Sequence, residues 1–252
     1  MSRKKTKHRI CCADFSLSAV EVAITDRRLF HYCLDVLRLR CHDRVTLFDG
    51  HGKEALAEIV SVAEREGHIV CKVLEVKSLP PEKGRVTMTV CQSILKGRKM
   101  DFALQKCTEI GVDFFFPMFS QRSVTQEKDG VHGGKLARWH TIIQEASRQS
   151  GRSFIPTLMM PATFTEIAQS SDQYDLALIP CLKVGARPLK SVVRGWKGKN
   201  ILILVGPEGG FEDWEIDRAR QNGCIPVSLG SMILRSETAA MAIMAMLRYE
   251  LE

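Results

Sequence analysis

Apolar positions along the chain fall into two regimes. Over residues 1–77 they come in short runs broken by turn dipeptides. Val45–Phe48 precedes Asp49-Gly50, Ala55–Val62 follows, and His68–Val76 alternates loosely after Glu66-Gly67. Each run reads as a strand of a compact, β-rich domain. Ahead of them, Leu34, Leu37 and Leu39 give Phe30–Leu39 a helical spacing. A small β-barrel with one helix satisfies this pattern.

Ser78-Leu79-Pro80-Pro81-Glu82-Lys83-Gly84 interrupts it with adjacent prolines that stiffen the backbone. A first domain over 1–77, a linker over 78–85 and a second domain over 86–252 are therefore expected. Beyond Arg85, strand and helix patterns alternate. Strands are predicted at Val86–Ile94, Phe114–Phe119, Leu176–Pro180, Ile201–Val205 and Ile225–Leu229. Helices are predicted at Lys99–Ile110, ended by Gly111, at Leu136–Ser150, after the capping box Thr163-x-x-Glu166, and at Glu237–Leu251. Such alternation implies an α/β fold with a mostly parallel sheet and helices on both faces.

The strongest local signal lies in residues 201–240. Ile201–Val205 runs straight into Gly206-Pro207-Glu208-Gly209-Gly210, and Ile225–Leu229 ends at Gly230. Glycine lets backbone approach a flat ligand closely. Two neighbouring strand ends with glycine turns make a cleft at the carboxyl edge of a sheet, where open α/β folds bind ligands. No Lys-Ser/Thr follows GPEGG, and nothing fits G-x-G-x-x-G, so a phosphate loop is excluded. Glu208 would repel a pyrophosphate. It suits a ligand carrying hydroxyls and positive charge, and S-adenosylmethionine is one. Taken alone, GPEGG is more often a plain strand-to-helix turn.

Arg235-Ser236-Glu237-Thr238 stands at the start of the last helix, with Ser236 placed to cap it. Arg235 could hold an electron-rich acceptor, and Glu237 could orient Arg235 or take a proton. A capped helix start with a local ion pair is the plainer reading. Arg122 emerges at a sheet edge after Phe114–Phe119. Glu145, Arg148 and Gln149 form either an RNA grip or a wet helix face. The Met-rich stretch Met241–Leu247 reads as a buried helix face or a dimer seam.

Composition narrows the possibilities. Hydrophobic content is 45% and charged content 26%, ordinary for a globular protein. No apolar run approaches the roughly 20 residues that span a bilayer, and the basic Met1–Arg9 stretch lacks the apolar core of a secretory signal. A cytosolic protein without membrane contact is expected. The nine cysteines are scattered without a C-x-x-C pair and read as reduced core thiols, and no metal site is expected. A net charge of +7 suits a polyanion. The seven histidines stand apart, which leaves nucleophilic hydrolysis unsupported.

Taken together, the chain resembles the RsmE family of the SPOUT superfamily, the 16S rRNA uracil-N3 methyltransferases. The resemblance rests on His31–Gly50, Lys96–Val112, Gln121–Val124, Gln144–Arg152, Leu204–Phe211 and Leu229–Ala240, in that order. It implies a PUA-like β-barrel followed by a SPOUT-type α/β domain with a trefoil knot. It also implies a homodimer with the site near the subunit interface. The cofactor would be S-adenosyl-L-methionine, lined by Gly206, Glu208, Gly209, Leu229, Gly230, Ile233 and Leu234. Arg235 and Glu237 would face the methyl acceptor, a uridine N3 in 16S rRNA within the assembled small subunit. Arg9, Arg38, Lys96, Arg98, Arg122 and Arg152 would contact RNA. The alternatives are a ribose 2′-hydroxyl methyltransferase, a non-catalytic RNA-binding protein and a nucleotide-hydrolysing factor, the last disfavoured by the missing phosphate loop. Glu212 stands where the family usually has Ser or Thr, implying a weaker cap on the next helix, and Gln121 and Met232 also depart from the pattern.

Overall fold

A computed structural model describes residues 8–12, 20–80, 84–123, 133–183 and 185–251. The basic residues before His8, linker positions Pro81–Lys83 and Val124 of the QRSV motif lie outside the described residues. The chain divides into two compact units. One comprises Met1–Lys83 with Ser147–Ile155, the other Gly84–Ala146 with Pro156–Glu252.

The first unit is a five-stranded sheet of β1 (Arg9–Cys11), β2 (Glu21–Ile24), β3 (Arg44–Phe48), β4 (Lys53–Ala63) and β5 (His68–Ser78), in the order β1-β3-β4-β5-β2. Only the β1–β3 pair is parallel. Alternation along β2 buries Val22 and Ile24 and exposes Glu21 and Ala23. These buried residues join Ile10, Val45, Leu47, Ile59 and Ile69 in one apolar cluster. The helix predicted over Phe30–Leu39 instead begins at Arg27. Asp26 caps it by accepting the Leu29 N–H at 2.8 Å. Its α-helical part, α1, spans Arg27–His31, and a π-helical turn continues through Val36. Arg38 and His42 then take positive φ of 55° and 71°, a conformation that ends helices.

Ser147–Ile155 completes this unit, which a division into two contiguous stretches does not anticipate. Gly52 N–H donates to Ser153 O at 3.0 Å and Ile155 N–H to Gly50 O at 2.9 Å. Gly50 and Gly52 have positive φ, and a Cβ on Gly52 would stand 2.5 Å from Phe154 Cζ, so glycine is required there.

The second unit holds a wholly parallel sheet. Its strands are β6 (Thr87–Ser93), β7 (Phe114–Phe119), β8 (Thr157–Leu158), β9 (Ala162–Thr163), β10 (Leu176–Pro180), β11 (Arg187–Pro188), β12 (Asn200–Val205) and β13 (Ile225–Ser228). The order is β11-β13-β10-β12-β6-β7-β8, with β9 also on β7. Its helices are α2 (Arg98–Ile110), α3 (Gly133–Ser150, whose residues from Ser147 on belong to the first unit), α4 (Phe164–Gln169), α5 (Leu189–Val193), α6 (Asp213–Gln221) and α7 (Ser236–Leu251). β7, β10 and β12 are almost continuously apolar because both faces are buried, whereas β6 between β12 and β7 also buries Thr89, Gln92 and Ser93. Leu202 and Leu204 pack with Phe164, Ile167 and Ile216 of α4 and α6. The alternate residues Ile201 and Ile203 face the other way and are equally buried, on the side where α2 packs against α7. Gly111, at φ 109°, ends α2 in the left-handed conformation. The Thr163–Glu166 capping box forms, with Thr163 N–H donating to Glu166 Oε2 at 2.8 Å. No helix among the described residues is long and apolar enough to cross a membrane.

Candidate active site

A cavity of about 490 Å³ opens at the carboxyl ends of β10, β12 and β13. The two glycine loops were read as neighbours, but β10 lies between β12 and β13. The cleft is therefore three strands wide, and the loop after β10, Cys181–Lys183, supplies a wall of its own. Its signal is an apolar strand ended by Pro180, whereas the other two loops are marked by glycines after their strands.

Gly206, Glu208, Gly209, Leu229, Gly230, Ile233 and Leu234 all line this cavity, together with Arg122 and Ser236. Phe211 anchors the first loop. It is 6% exposed and its ring lies 5.3 Å from that of Phe164. A Cβ on Gly206 would come within 3.2 Å of the Phe211 ring, so any side chain there would have to displace the ring by a few tenths of an ångström. The second loop is more open, with Ile233 at 85% and Met232 at 77% exposure.

Ser236 is not the expected side-chain cap. It is the first residue of α7, buried, and its hydroxyl donates to the Gly206 carbonyl. Gln92, at 0% exposure on β6, donates through Nε2 to Ser236 Oγ at 2.8 Å and to Ser93 O at 3.1 Å. This pair ties the start of α7 to the first glycine loop. The sequence gives no signal for Gln92, which is one of four polar residues in β6, with Thr87, Thr89 and Ser93.

Glu208 is held by α2. Its Oε1 accepts from Lys99 Nζ at 2.9 Å and from the Lys96 N–H at 3.4 Å. Burial tends to raise its pKa, but the Lys99 and backbone hydrogen bonds outweigh it and hold the carboxyl below its ordinary value. Arg235 is exposed, whereas Glu237 is 8% exposed with Oε2 buried and without a hydrogen-bond partner. No ion pair joins Arg235 to Glu237 among the described residues.

The expected RNA contacts separate by environment. Arg38, Lys96 and Arg98 are exposed. Arg9 is instead committed inside the first unit, donating to Glu54 at 2.7 Å with its guanidinium 4.7 Å above the Phe48 ring. Arg152 Nε donates to Phe154 O at 3.2 Å. Arg148 stacks 4.2 Å over the Tyr32 ring, while Glu145 and Gln149 of the same helix are exposed. Arg122 forms a two-pronged ion pair with Glu212, at 2.6 and 2.9 Å. The α6 start is nonetheless capped, because Glu215 Oε2 receives the Glu212 N–H at 2.8 Å. On α7, Ile243, Met244 and Leu247 are fully buried, while Met246 is 41% exposed.

An RNA methyltransferase domain family matches residues 82–248, and an RNA methyltransferase PUA domain family matches residues 24–70. The ribosomal RNA small subunit methyltransferase E of Synechocystis is 30% identical over 247 residues, spanning 97% of this chain and 78% of its own. The Bacillus subtilis protein of the same name is 28% identical over 243 residues, spanning 94% and 91%. The Neisseria gonorrhoeae methyltransferase E solved with S-adenosyl methionine superposes with a TM-score of 0.84 at 29% identity, over 96% of this chain and 97% of that one. A Legionella pneumophila protein solved with the same cofactor gives 0.86 at 27%, over 96% and 97%. A PUA domain, a parallel-sheet domain with a cavity at its strand ends, and relatives along nearly the whole sequence agree: this chain belongs to the ribosomal RNA small subunit methyltransferase E family.

Proposed function

We propose that the protein transfers a methyl group from S-adenosylmethionine to N3 of one uridine in 16S rRNA of the small ribosomal subunit. The observation that carries this reading is the cavity at the ends of β10, β12 and β13. Its volume suits a cofactor-sized ligand. Glycine backbone and apolar walls fit an adenine, and carbonyl and carboxylate acceptors fit a ribose diol and an ammonium group.

Bound there, S-adenosylmethionine supplies an electrophilic methyl on its sulfonium. The task left to the chain is alignment and charge control. Gly206, Gly209, Leu229, Gly230 and Leu234 hold the cofactor, with Glu208 and Ile233 at the rim. Arg235 stabilises negative charge on a uracil oxygen as N3–H ionises. Glu237 either orients Arg235 or receives the proton. N3 lies on the Watson–Crick edge, so the base must be unpaired. Arg38, Lys96 and Arg98 contact phosphates and set register. The division of labour is residues 1–77, completed by Ser147–Ile155, for RNA, 78–85 as linker and the rest of 86–252 for catalysis, the last carrying the superfamily's trefoil knot. The exposed Met232, Ile233, Leu182 and Tyr249 side chains are covered in a homodimer.

Purified protein, methyl-labelled S-adenosylmethionine and small subunits lacking the modification test the proposal. Label recovered as 3-methyluridine at one position is expected. Label on a ribose or another base would overturn the substrate assignment while keeping the cofactor.

A further inference from the structure

Arg122 touches the first glycine loop more intimately than a surface arginine needs to. Its Nη1 donates to Gly209 O at 2.7 Å, and Nε and Nη2 grip both oxygens of Glu212 at 2.6 and 2.9 Å. Its stem packs over Gly209, with Cδ 3.2 Å from the point where a Cβ would stand. The other polar group of the same peptide unit is also fixed, because Gly210 N–H donates to Pro207 O at 3.0 Å. Both ends of the Gly209–Gly210 peptide are therefore held. Behind this contact Glu215, at 0% exposure, accepts Gln121 N–H at 3.0 Å and Glu212 N–H at 2.8 Å. One buried carboxylate thus fixes the residue before Arg122 and the residue that Arg122 grips.

An exposed ion pair does little for folding, and Arg122 and Glu212 are 47% and 34% exposed. Its consequence lies in the loop. Adjacent glycines have the largest backbone freedom to lose on ordering. A ligand that must order them itself binds more weakly than one that meets them already fixed. The second independent restraint, Lys99 on Glu208, holds the preceding residue from the opposite flank.

We propose that Arg122 is a positioning residue for the cofactor loop rather than an RNA contact, and that its clasp on Glu212 and the Gly209 carbonyl sets affinity for S-adenosylmethionine. This inference rests on the reading of the cavity as the cofactor site. A fork is needed to hold a carboxylate and a carbonyl at once, which the point charge of lysine cannot do.

Calorimetric titration of the full-length protein with S-adenosylmethionine, without RNA, is the test. Arg122→Ala is expected to weaken binding about tenfold and Arg122→Lys by several-fold, with unchanged thermal midpoints. Glu212→Gln, which loses the ion pair but keeps Arg122 near Gly209, should fall between wild type and Arg122→Ala. The Arg122→Glu/Glu212→Arg exchange restores an ion pair without a donor for Gly209 O, and should remain weak. In turnover, KM for the cofactor should rise more than kcat falls. Wild-type cofactor affinity in Arg122→Ala would overturn the proposal. So would loss of RNA affinity with a salt dependence shallower by about one phosphate contact. No binding by the wild-type protein would instead sink the cofactor assignment itself.

Discussion

Removing the Ser236 hydroxyl tests how the last helix controls the first glycine loop. Ser236→Ala deletes a hydrogen bond to the Gly206 carbonyl and the acceptor for Gln92 Nε2. Gln92 retains Ser93 O at 3.1 Å, but its reach to Gly206 O is 3.4 Å, too long to replace what is lost. A buried carbonyl left without a good partner costs about 1–3 kcal/mol, an upper range for the part-buried Gly206 O. For a chain of this size that lowers the calorimetric midpoint by ~2–12 °C. Because Gly206 lines the cavity, cofactor KM should rise as well. Gln92→Ala removes the other half of the same network, so the two changes together should cost less than their sum. Additivity to within about 0.5 kcal/mol would show the residues to be independent. A drop below about 1 °C in the single variant would refute the reasoning.

Three further outcomes are expected. Gly52→Ala places a Cβ 2.6 Å from Leu79 O at φ +96°, and should destabilise by roughly 2–5 kcal/mol. Gly67→Ala, at φ +69° with open space around it, should lose only about 1–2 kcal/mol, and equal urea midpoints for the pair would contradict this. Burial tends to raise the pKa of Glu54, but hydrogen bonds from Ser153 and Arg9 bring it below its ordinary 4.5. The stabilisation is therefore present above pH 4.5 and lost as pH falls through the lower, folded-state value. The excess thermal stability of wild type over Glu54→Gln should shrink on acidification below that point, and a constant gap would argue against the assignment. Arg235→Ala should cut turnover with little change in cofactor binding measured by titration; full activity would remove Arg235 from the chemistry.

Much of the second unit was legible because β7, β10 and β12 are largely buried and read as nearly unbroken apolar runs. Phe114–Phe119 and Leu176–Pro180 have the predicted limits. Strand order was not legible, since nothing in the pattern of Ile201–Val205 or Ile225–Leu229 says that β10 lies between them. The short β1 and β2 carry too few alternations to register. Asp26 held the start of α1 in a capping pattern that Leu34 and its partners obscured. The glycine loops were found by composition, but their restraints were not. Gln92, Arg122 and Glu215 act across 87–144 positions of sequence, and the sequence offers only a sheet-edge position and a family resemblance from which to assign Arg122. Ser236 shows the same limit: a serine at a helix start signals a cap, while the partner it takes is decided by the loop beside it.

The return of Ser147–Ile155 to the first unit has a consequence for biosynthesis. Gly50, Gly52 and Glu54 emerge from the ribosome long before the segment they bond. At ~5–20 residues per second the delay is roughly 5–20 s. Through that interval the nascent N-terminal sheet lacks its closing strap, and chaperones meet a half-finished surface while much of the catalytic unit is still being made.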